Sequence, residues 1–251
     1  AQLHPEADHV VTLLESEHAN LRAALTWFSE TEDHQSLLKL AAALGRFWTG
    51  QGYYQEGRTW LERGLEAQGG PTADRAKALV ALGLIRLYQG ADQEAETHLS
   101  DGLAVCHASG DALHIAQALI GLGGLATLHD DYDRGTALLN QARTAASQIP
   151  DRRLSNLVAG WVSTNLAVAP RVAGQFALAE SHLETALHLQ REAGYTEGVV
   201  LALGDLGNVA RDQGDSRRAL ACYREALTAG SGHPGTRVIT EVIEAVGIIA
   251  A

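Results

Sequence analysis

The 251-residue chain lacks the features that mark secreted and membrane-embedded proteins. Its two cysteines, Cys106 and Cys222, are too few for a disulfide framework, so we expect a reducing, cytoplasmic compartment. No apolar run approaches the roughly 18 residues that a membrane helix needs, and the first residues carry no signal-peptide pattern. Methionine is absent even at position 1, from which we expect an excised piece of a longer protein.

Positive charge is scarce, and almost all of it is arginine. The formal net charge is −11, and the only lysines are Lys39 and Lys77. A strongly negative chain disfavours nonspecific binding to phosphate backbones and anionic lipids. We therefore expect that this chain binds neither nucleic acid nor a membrane directly.

A unit of about 40 residues recurs along the chain. In each copy a Leu-Gly pair, or a close variant, is followed seven residues after its second member by glycine or aspartate. The copies, 38 to 44 residues apart, are Leu44-Gly45…Gly52, Leu82-Gly83…Gly90, Leu122-Gly123…Asp130, Leu166-Ala167…Gly174 and Leu206-Gly207…Gly214. A sixth begins at Val246-Gly247, which predicts five full repeats and a truncated sixth.

A second pattern follows each signature at a fixed offset. Small, bulky and small residues recur there at helical rather than strand spacing, and small residues let two helix backbones approach closely. The sets are Gly57, Leu61 and Gly64; Ala95, Leu99 and Gly102; Gly135, Leu139 and Ala142; Ala179, Leu183 and Ala186; and Ala219, Tyr223 and Ala226. Each repeat therefore predicts a helical hairpin, with glycine capping its first helix in the left-handed conformation.

The fold class that these patterns predict is all-α, with antiparallel helix pairs. We expect about twelve helices, over residues 8–30, 34–50, 54–68, 72–89, 92–109, 111–129, 132–148, 151–172, 176–193, 196–213, 216–229 and 234–250. Residues such as Asp111 and Asp215 are expected at helix starts, where their carboxylates cap the first turn. A kink or break is expected near Val168–Pro170, because proline removes a backbone donor.

From about residue 34 onward the pattern resembles the tetratricopeptide repeat. The resemblance implies a right-handed superhelix of stacked hairpins, an α-solenoid, with the first helices lining a concave groove. It divides the chain into an N-terminal helix over 1–31 and a repeat domain over 32–251. We interpret Trp48 and Trp60 as core residues of that domain.

Two phrases sharpen the resemblance: the run from Glu17-His18 to Trp27, read Glu-His-x-Asn-Leu-Arg-Ala-Ala-Leu-x-Trp, and Glu56-Gly57-Arg58-Thr59-Trp60-Leu61. Together they resemble the start of the repeat region in bacterial transcriptional regulators of the signal-transduction ATPase (NB-ARC or STAND) class. In those proteins an NTPase module precedes the repeats, and a DNA-binding domain, often LuxR-like, lies at one end. The resemblance implies that the repeats form a sensor arm and that residues 1–31 link it to upstream domains.

No pattern of catalytic, cofactor-binding or metal-ligating residues is recognisable. Gly121-Leu122-Gly123-Gly124 lacks the lysine of a phosphate loop and lies within a helical pattern. The histidines do not occur at zinc-ligand spacing. Asp130-Asp131 falls at a predicted turn, where a helix cap is the ordinary role. We therefore predict a protein that is not an enzyme and uses no cofactor or metal.

In each first helix, the face opposite the Leu-Gly signature is expected to line the groove. It gives the candidate partner-binding residues Lys39, Arg46, Lys77, Leu84, Tyr88, Trp161, Thr164, Arg171, Asn208 and Arg211. This mixture of cationic and apolar side chains suits an acidic, apolar peptide or a segment of the regulator's own NTPase module. Three alternatives stay open: these cations serve solubility alone, residues 238–251 form a homodimer, or the repeats bind a small-molecule inducer.

Overall fold

The computed structural model describes residues 6–66 and 72–231, which contain thirteen α-helices and no strand. The helices are α1 (Glu6–Ser16), α2 (His18–Glu30), α3 (His34–Gln51), α4 (Tyr54–Glu66), α5 (Ala73–Tyr88), α6 (Asp92–Ser109), α7 (Ala112–Leu128), α8 (Tyr132–Ala146), α9 (Arg152–Leu166), α10 (Val168–Val172), α11 (Phe176–Ala193), α12 (Thr196–Asp212) and α13 (Ser216–Gly230). The all-α prediction is confirmed, and from α3 onward the predicted helix bounds agree within two residues, except for the helix predicted over 151–172, which is divided into α9 and α10. The helix predicted over 234–250, with the proposed homodimer contact, lies outside the described residues.

Two predicted helices are each divided. The expected break before Pro170 is confirmed: α9 ends at Leu166, and the Ala167 N–H turns back to the Thr164 carbonyl oxygen at 3.2 Å. Proline has no N–H with which to continue the helical ladder there. The prediction of one helix over 8–30 is wrong, because the backbone departs from helical geometry at Glu17 (φ −95°, ψ 2°).

The chain divides into two compact units at His129–Asp130. In the N-terminal unit, whose described residues lie between 6 and 129, α3 packs against α4, α5 against α6, and α5 also against α3 and α7. Its core includes the fully buried Trp48, with Trp60 packed at the edge, so the interpretation of both as core residues is confirmed.

In the C-terminal unit, described over 130–231, α9 packs against α11, α11 against α12, and α12 against α13. The fully buried Gln190 of α11 fills a slot between Gly160 of α9 and Gly198 of α12. Its Nε2 donates to the Leu157 carbonyl oxygen at 3.3 Å, while its buried Oε1 has no partner among the described residues. A side chain at either glycine would occupy the same space as this amide.

The repeated glycines lie where helices approach most closely. The five signature pairs between Leu44 and Gly207 are buried, as are the small–bulky–small sets of the second helices. A Cβ on Gly83 of α5 would come within 2.6 Å of Cγ of Leu99 on α6. A Cβ on Gly207 of α12 would overlap the ring of Tyr223 on α13 in the same way. The bulky residue of each of these second helices thus packs onto the glycine of the first.

The turn after each first helix requires a left-handed backbone. Gly52, Gly90, Gly174 and Gly214 adopt φ values of 76°, 72°, 71° and 82°. Asp130 occupies the equivalent place in the third repeat with φ 61°, so aspartate takes the conformation that glycine takes elsewhere. The cap prediction also holds, because Asp111 and Asp215 accept hydrogen bonds from backbone N–H groups in the first turns of α7 and α13.

Candidate functional site

A cavity of about 260 Å³ opens between the first helices of the N-terminal unit. It is lined by residues of α3, α5 and α7: Ala42, Ala43, Gly45, Arg46, Thr49, Lys77, Ala81, Leu84, Leu113, His114 and Gln117. These lining residues include arginine, lysine and histidine but neither aspartate nor glutamate. In a chain with a net charge of −11, this is a local concentration of basic groups.

Helical spacing explains how the three helices build this wall. Ala42, Arg46 and Thr49 recur on α3 at steps of four and three, and Lys77, Ala81 and Leu84 repeat those steps on α5. Side chains at such steps share one helix face. Leu113 and Gln117, four residues apart, contribute the first turns of α7.

Lys77 supplies a half-buried positive charge to the cavity. Within the described part of the chain, the ammonium group makes neither a salt bridge nor a hydrogen bond. The anion it influences is Asp111, and its positive charge helps to lower the pKa of that carboxyl. Lys77 therefore keeps its hydrogen-bond donors available to a molecule in the cavity.

Asp111 lies behind the lining and holds His114 in place. Its Oδ2 accepts from Nδ1 of His114 at 2.8 Å, and its Oδ1 accepts from the His114 backbone N–H at 3.2 Å. Burial raises the pKa of Asp111, but the hydrogen bonds from His114 and the electrostatic attraction of His114 and Lys77 together lower it more, so the net pKa lies below its ordinary value. An ionised Asp111 fixes the imidazole, whose other edge remains available.

Gln117 is the buried polar residue of the cavity wall. The residue as a whole is 6% exposed, and it lines the cavity. A side-chain amide can both donate and accept hydrogen bonds.

The buried thiol of Cys106, on the adjoining helix α6, is not a nucleophile at neutral pH. Burial raises the pKa of Cys106 to about 11, the Asp111 charge adds to the effect, and Lys77 opposes it. The thiolate is the reactive form of cysteine.

Three of the predicted groove residues, Arg46, Lys77 and Leu84, meet at this cavity. Lys39 is exposed on α3 outside the lining. Tyr88 is half exposed at the end of α5 and stacks on Tyr54 with 5.5 Å between ring centroids. Sequence reasoning missed Leu113 and His114, which the same helical steps reach when continued one turn before Gln117.

The predicted residues of the C-terminal unit are engaged in contacts within that unit. Arg171 and Arg211 both approach Asp212, at 3.5 and 3.4 Å. Asn208 accepts a hydrogen bond from the Tyr223 hydroxyl at 2.9 Å.

Two more predicted residues of this unit are partly or fully covered. Trp161 lies edge-on to Tyr195 with 5.9 Å between ring centroids. Thr164 is buried, and its hydroxyl donates to the Gly160 carbonyl oxygen at 3.2 Å. That hydroxyl is therefore occupied within α9.

The two phrases near the N-terminus are in direct contact. Nε2 of His18 lies 3.0 Å from Oε1 of Glu56, and Nε of Arg22 donates to both Glu56 oxygens at 3.0 Å. The His18 ring also packs between Phe47 and Tyr53. Burial raises the pKa of Glu56, but the hydrogen bonds from Arg22 and His18 and the electrostatic attraction of both residues together lower it more. The ionised Glu56 of α4 therefore links α2 to the hairpin that α3 and α4 form.

Neither a metal-binding cluster nor a membrane-spanning helix occurs within residues 6–66 and 72–231. No group of three or more histidine, cysteine, aspartate or glutamate side chains in those ranges could hold a metal ion. In the same ranges, no helix combines the length and apolarity needed to cross a bilayer.

The tetratricopeptide repeat family model matches residues 158–230, which lie in the C-terminal unit. Relatives from Mycobacterium tuberculosis and Mycobacterium bovis, named as HTH-type transcriptional regulators, are 29% identical over 136 residues. The match covers 49% of this chain and 15% of each relative. The chain is therefore similar to a minor part of proteins that are much longer.

Solved structures with tetratricopeptide-like architecture resemble the chain over most of its length. BtubC from P. vanneervenii has a TM-score of 0.64 at 16% identity and covers 89% of this chain and 95% of its own. A Rap protein complexed with Competence and Sporulation Factor has a TM-score of 0.68 at 14% identity and covers 85% and 65%. A thermophilic TPR protein from Thermus thermophilus has a TM-score of 0.54 at 20% identity and covers 86% and 98%. At these identities the likeness shows the fold alone.

Proposed function

We propose that the chain is a non-catalytic scaffold that binds a protein or peptide partner and acts as the regulatory repeat arm of a cytoplasmic transcriptional regulator. The observation that carries the binding role is the cavity between α3, α5 and α7, whose lining combines Arg46, Lys77 and His114 with the polar side chain of Gln117. A concave site with a few convergent polar groups is the usual form of a binding pocket. The solved Rap complex is a TPR-like neighbour that holds another molecule.

The two lysines allow a matched test of this role. A random peptide library is displayed and selected on the immobilised chain, and the affinities of enriched peptides are measured for wild type, Lys77→Glu and Lys39→Glu. Both substitutions change the net charge equally, but only Lys77 lines the cavity. We expect at least about a tenfold loss for Lys77→Glu, because a charge-assisted contact becomes a repulsion, and little change for Lys39→Glu.

Circular dichroism must show the same helicity for all three proteins. A selection that enriches no binding peptide contradicts the scaffold role. Enriched peptides that bind Lys77→Glu as tightly as wild type contradict this cavity as the place of binding.

The regulator role rests on separate support: the N-terminal phrases and the similarity to mycobacterial HTH-type regulators. We propose that the repeats belong to a longer regulator that also carries an NTPase module, and that this module is the partner that the repeats control. The coding sequence on both sides of this chain tests the parentage. A Walker lysine motif and a helix-turn-helix in the same reading frame are expected, and their absence contradicts the ATPase-type assignment while leaving the scaffold role intact.

A further inference from the structure

The corner where α10 meets α11 carries the exposed large apolar side chains of the C-terminal unit. Within its described residues these are Val168, Val172 and Leu178, which are 38%, 57% and 47% exposed. All three lie within eleven consecutive residues, and clustered exposed apolar groups are typical of interaction surfaces. We infer that this corner, residues 168–178, is a homodimer contact in which the corners of two copies of the chain meet across a two-fold axis.

The break at Pro170 creates the corner. Val168 and Val172 are four residues apart and share one face of the short helix α10, which has no buried residue. α10 packs against α11, and the turn between them is tight, because the Gln175 N–H donates to the Pro170 carbonyl oxygen at 2.8 Å. Leu178 lies in the first turn of α11, directly after this turn. The chain thus presents apolar side chains from two successive helices at one place.

The lack of charge at the corner selects a second copy as the occupant. Residues 154–179 contain a single charged residue, Arg171, although a fifth of the whole chain is charged. Arg171 lies 3.5 Å from Asp212, and Glu180, the next acid along the chain, accepts a hydrogen bond from Arg218 at 2.7 Å. A strongly basic or acidic partner therefore gains little here, whereas an uncharged apolar surface is complementary to another of the same kind.

The two most exposed apolar side chains elsewhere in the described residues are less suited to self-association. Trp27 and Leu128 are each 64% exposed. Trp27 is followed along the chain by Glu30 and Glu32, and Leu128 by His129-Asp130-Asp131. Two copies that met at either position would bring carboxylates close to carboxylates, and like charges repel. The corner offers apolar contact without that repulsion.

The small size of the corner and the net charge of the chain set the behaviour of the dimer. Contacts that bury less than about 1,200 Å² are typical of weak, transient complexes, so the dimer should form only at high protein concentration. Each copy carries a net charge of −11, so the remaining surfaces repel each other. Salt screens this repulsion, and the dimer should therefore tighten when NaCl is raised from about 0.1 M to about 1 M. A contact between groups of opposite charge would weaken instead.

Sedimentation equilibrium of the full chain over a concentration series measures the dissociation constant for wild type, Val172→Glu, Leu178→Glu and the matched control Leu128→Glu. All three substitutions add one negative charge at an exposed apolar side chain, and circular dichroism must show unchanged helicity. Val172→Glu and Leu178→Glu should each weaken the dimer at least about tenfold, because each glutamate faces the acidic or apolar surface of the other copy. Leu128→Glu should change the dissociation constant by less than about a factor of two, because its charge is distant and screened.

Cross-linking tests the symmetry of the contact. A residue close to a two-fold axis lies near its own counterpart in the other copy. A short bismaleimide should therefore link Val172→Cys into a covalent dimer, to a greater extent than either wild type, with its own Cys106 and Cys222, or Leu128→Cys. Equal cross-linking of the three proteins overturns the two-fold corner contact.

The other outcomes separate this corner from alternative modes of association. A wild-type chain that stays monomeric at every concentration and salt overturns the inference, as does a dimer that salt weakens. An equal loss for Leu128→Glu overturns it in favour of a general charge effect. A dimer that Ile243→Glu abolishes and that Val172→Glu and Leu178→Glu leave intact places the contact in residues 238–251 and overturns the corner. None of these results bears on peptide binding at the cavity, so the proposed function is tested separately.

Discussion

Replacing Gly207 by alanine tests whether the repeated glycines exist for close helix packing. An added Cβ would lie 2.6 Å from Cδ1 and 2.9 Å from Cζ of Tyr223, and closer still to Cε1. Tyr223 is 0% exposed and its hydroxyl donates to Asn208 at 2.9 Å. The ring therefore has no solvent into which it can move, and displacing it also strains that hydrogen bond.

Opposing contributions set the size of the effect. Alanine in place of glycine within a helix stabilises by about 1 kcal/mol. Overpacking of a buried site costs about 1–3 kcal/mol, and loss of a hydrogen bond such as that of Tyr223 costs about 1 kcal/mol. Because a rigid ring meets the new methyl, we expect Gly207→Ala to lower the free energy of unfolding by about 1–3 kcal/mol.

Urea unfolding followed by far-UV circular dichroism measures this change, and Gly50→Ala is the control. Gly50 also lies within a helix, but an added Cβ there meets nothing within 4 Å. The control should therefore be as stable as wild type or more stable, by up to about 1 kcal/mol. If Gly207→Ala is no less stable than wild type, the packing argument for the repeat is refuted.

Two further substitutions probe polar groups outside the cavity. Glu56→Gln should lower stability by about 1 kcal/mol at neutral pH through loss of its contacts with Arg22 and His18. Because folding lowers the pKa of Glu56, its contribution to stability is full above the unfolded pKa of about 4.3 and is lost as the pH falls through the folded pKa. The free energies of unfolding of wild type and variant should therefore converge as the pH falls. A difference that stays constant with pH contradicts this. Gln190→Met should raise the free energy of unfolding by about 1 kcal/mol, because it removes a buried hydrogen-bond acceptor that has no partner. A lower free energy of unfolding in urea would show instead that the hydrogen bond to the Leu157 carbonyl oxygen dominates.

The fold was largely predictable because its requirements are local and repeated. The same residue types recur at the same positions in each repeat. A small residue lies where a bulky one packs against it, and seven positions later comes a residue that tolerates a positive φ. Asp130 shows how strongly this position in the repeat requires a positive φ, since it adopts the left-handed conformation without being glycine. The interruption at Glu17 was not predictable, because no proline or glycine marks it.

The site was predictable only in part. Helical steps placed Arg46, Lys77 and Leu84 on one face, and the cavity unites them. The role of Asp111, which accepts hydrogen bonds from His114, depends on side-chain geometry that spacing does not reveal.

In the C-terminal unit the predicted cations Arg171 and Arg211 share Asp212, which compensates part of their charge. A list of charges along a sequence contains no information about which helices bring them together.

The scarcity of lysine gives the molecule a built-in spectroscopic probe. Reductive methylation with ¹³C-formaldehyde would place dimethylamino groups on the only two lysine side chains, Lys39 and Lys77. Two-dimensional NMR would then show one lysine resonance from an exposed helix face and one from the cavity wall. Ligands could be ranked by the shift of a single resolved peak, with the other as an internal reference in the same tube.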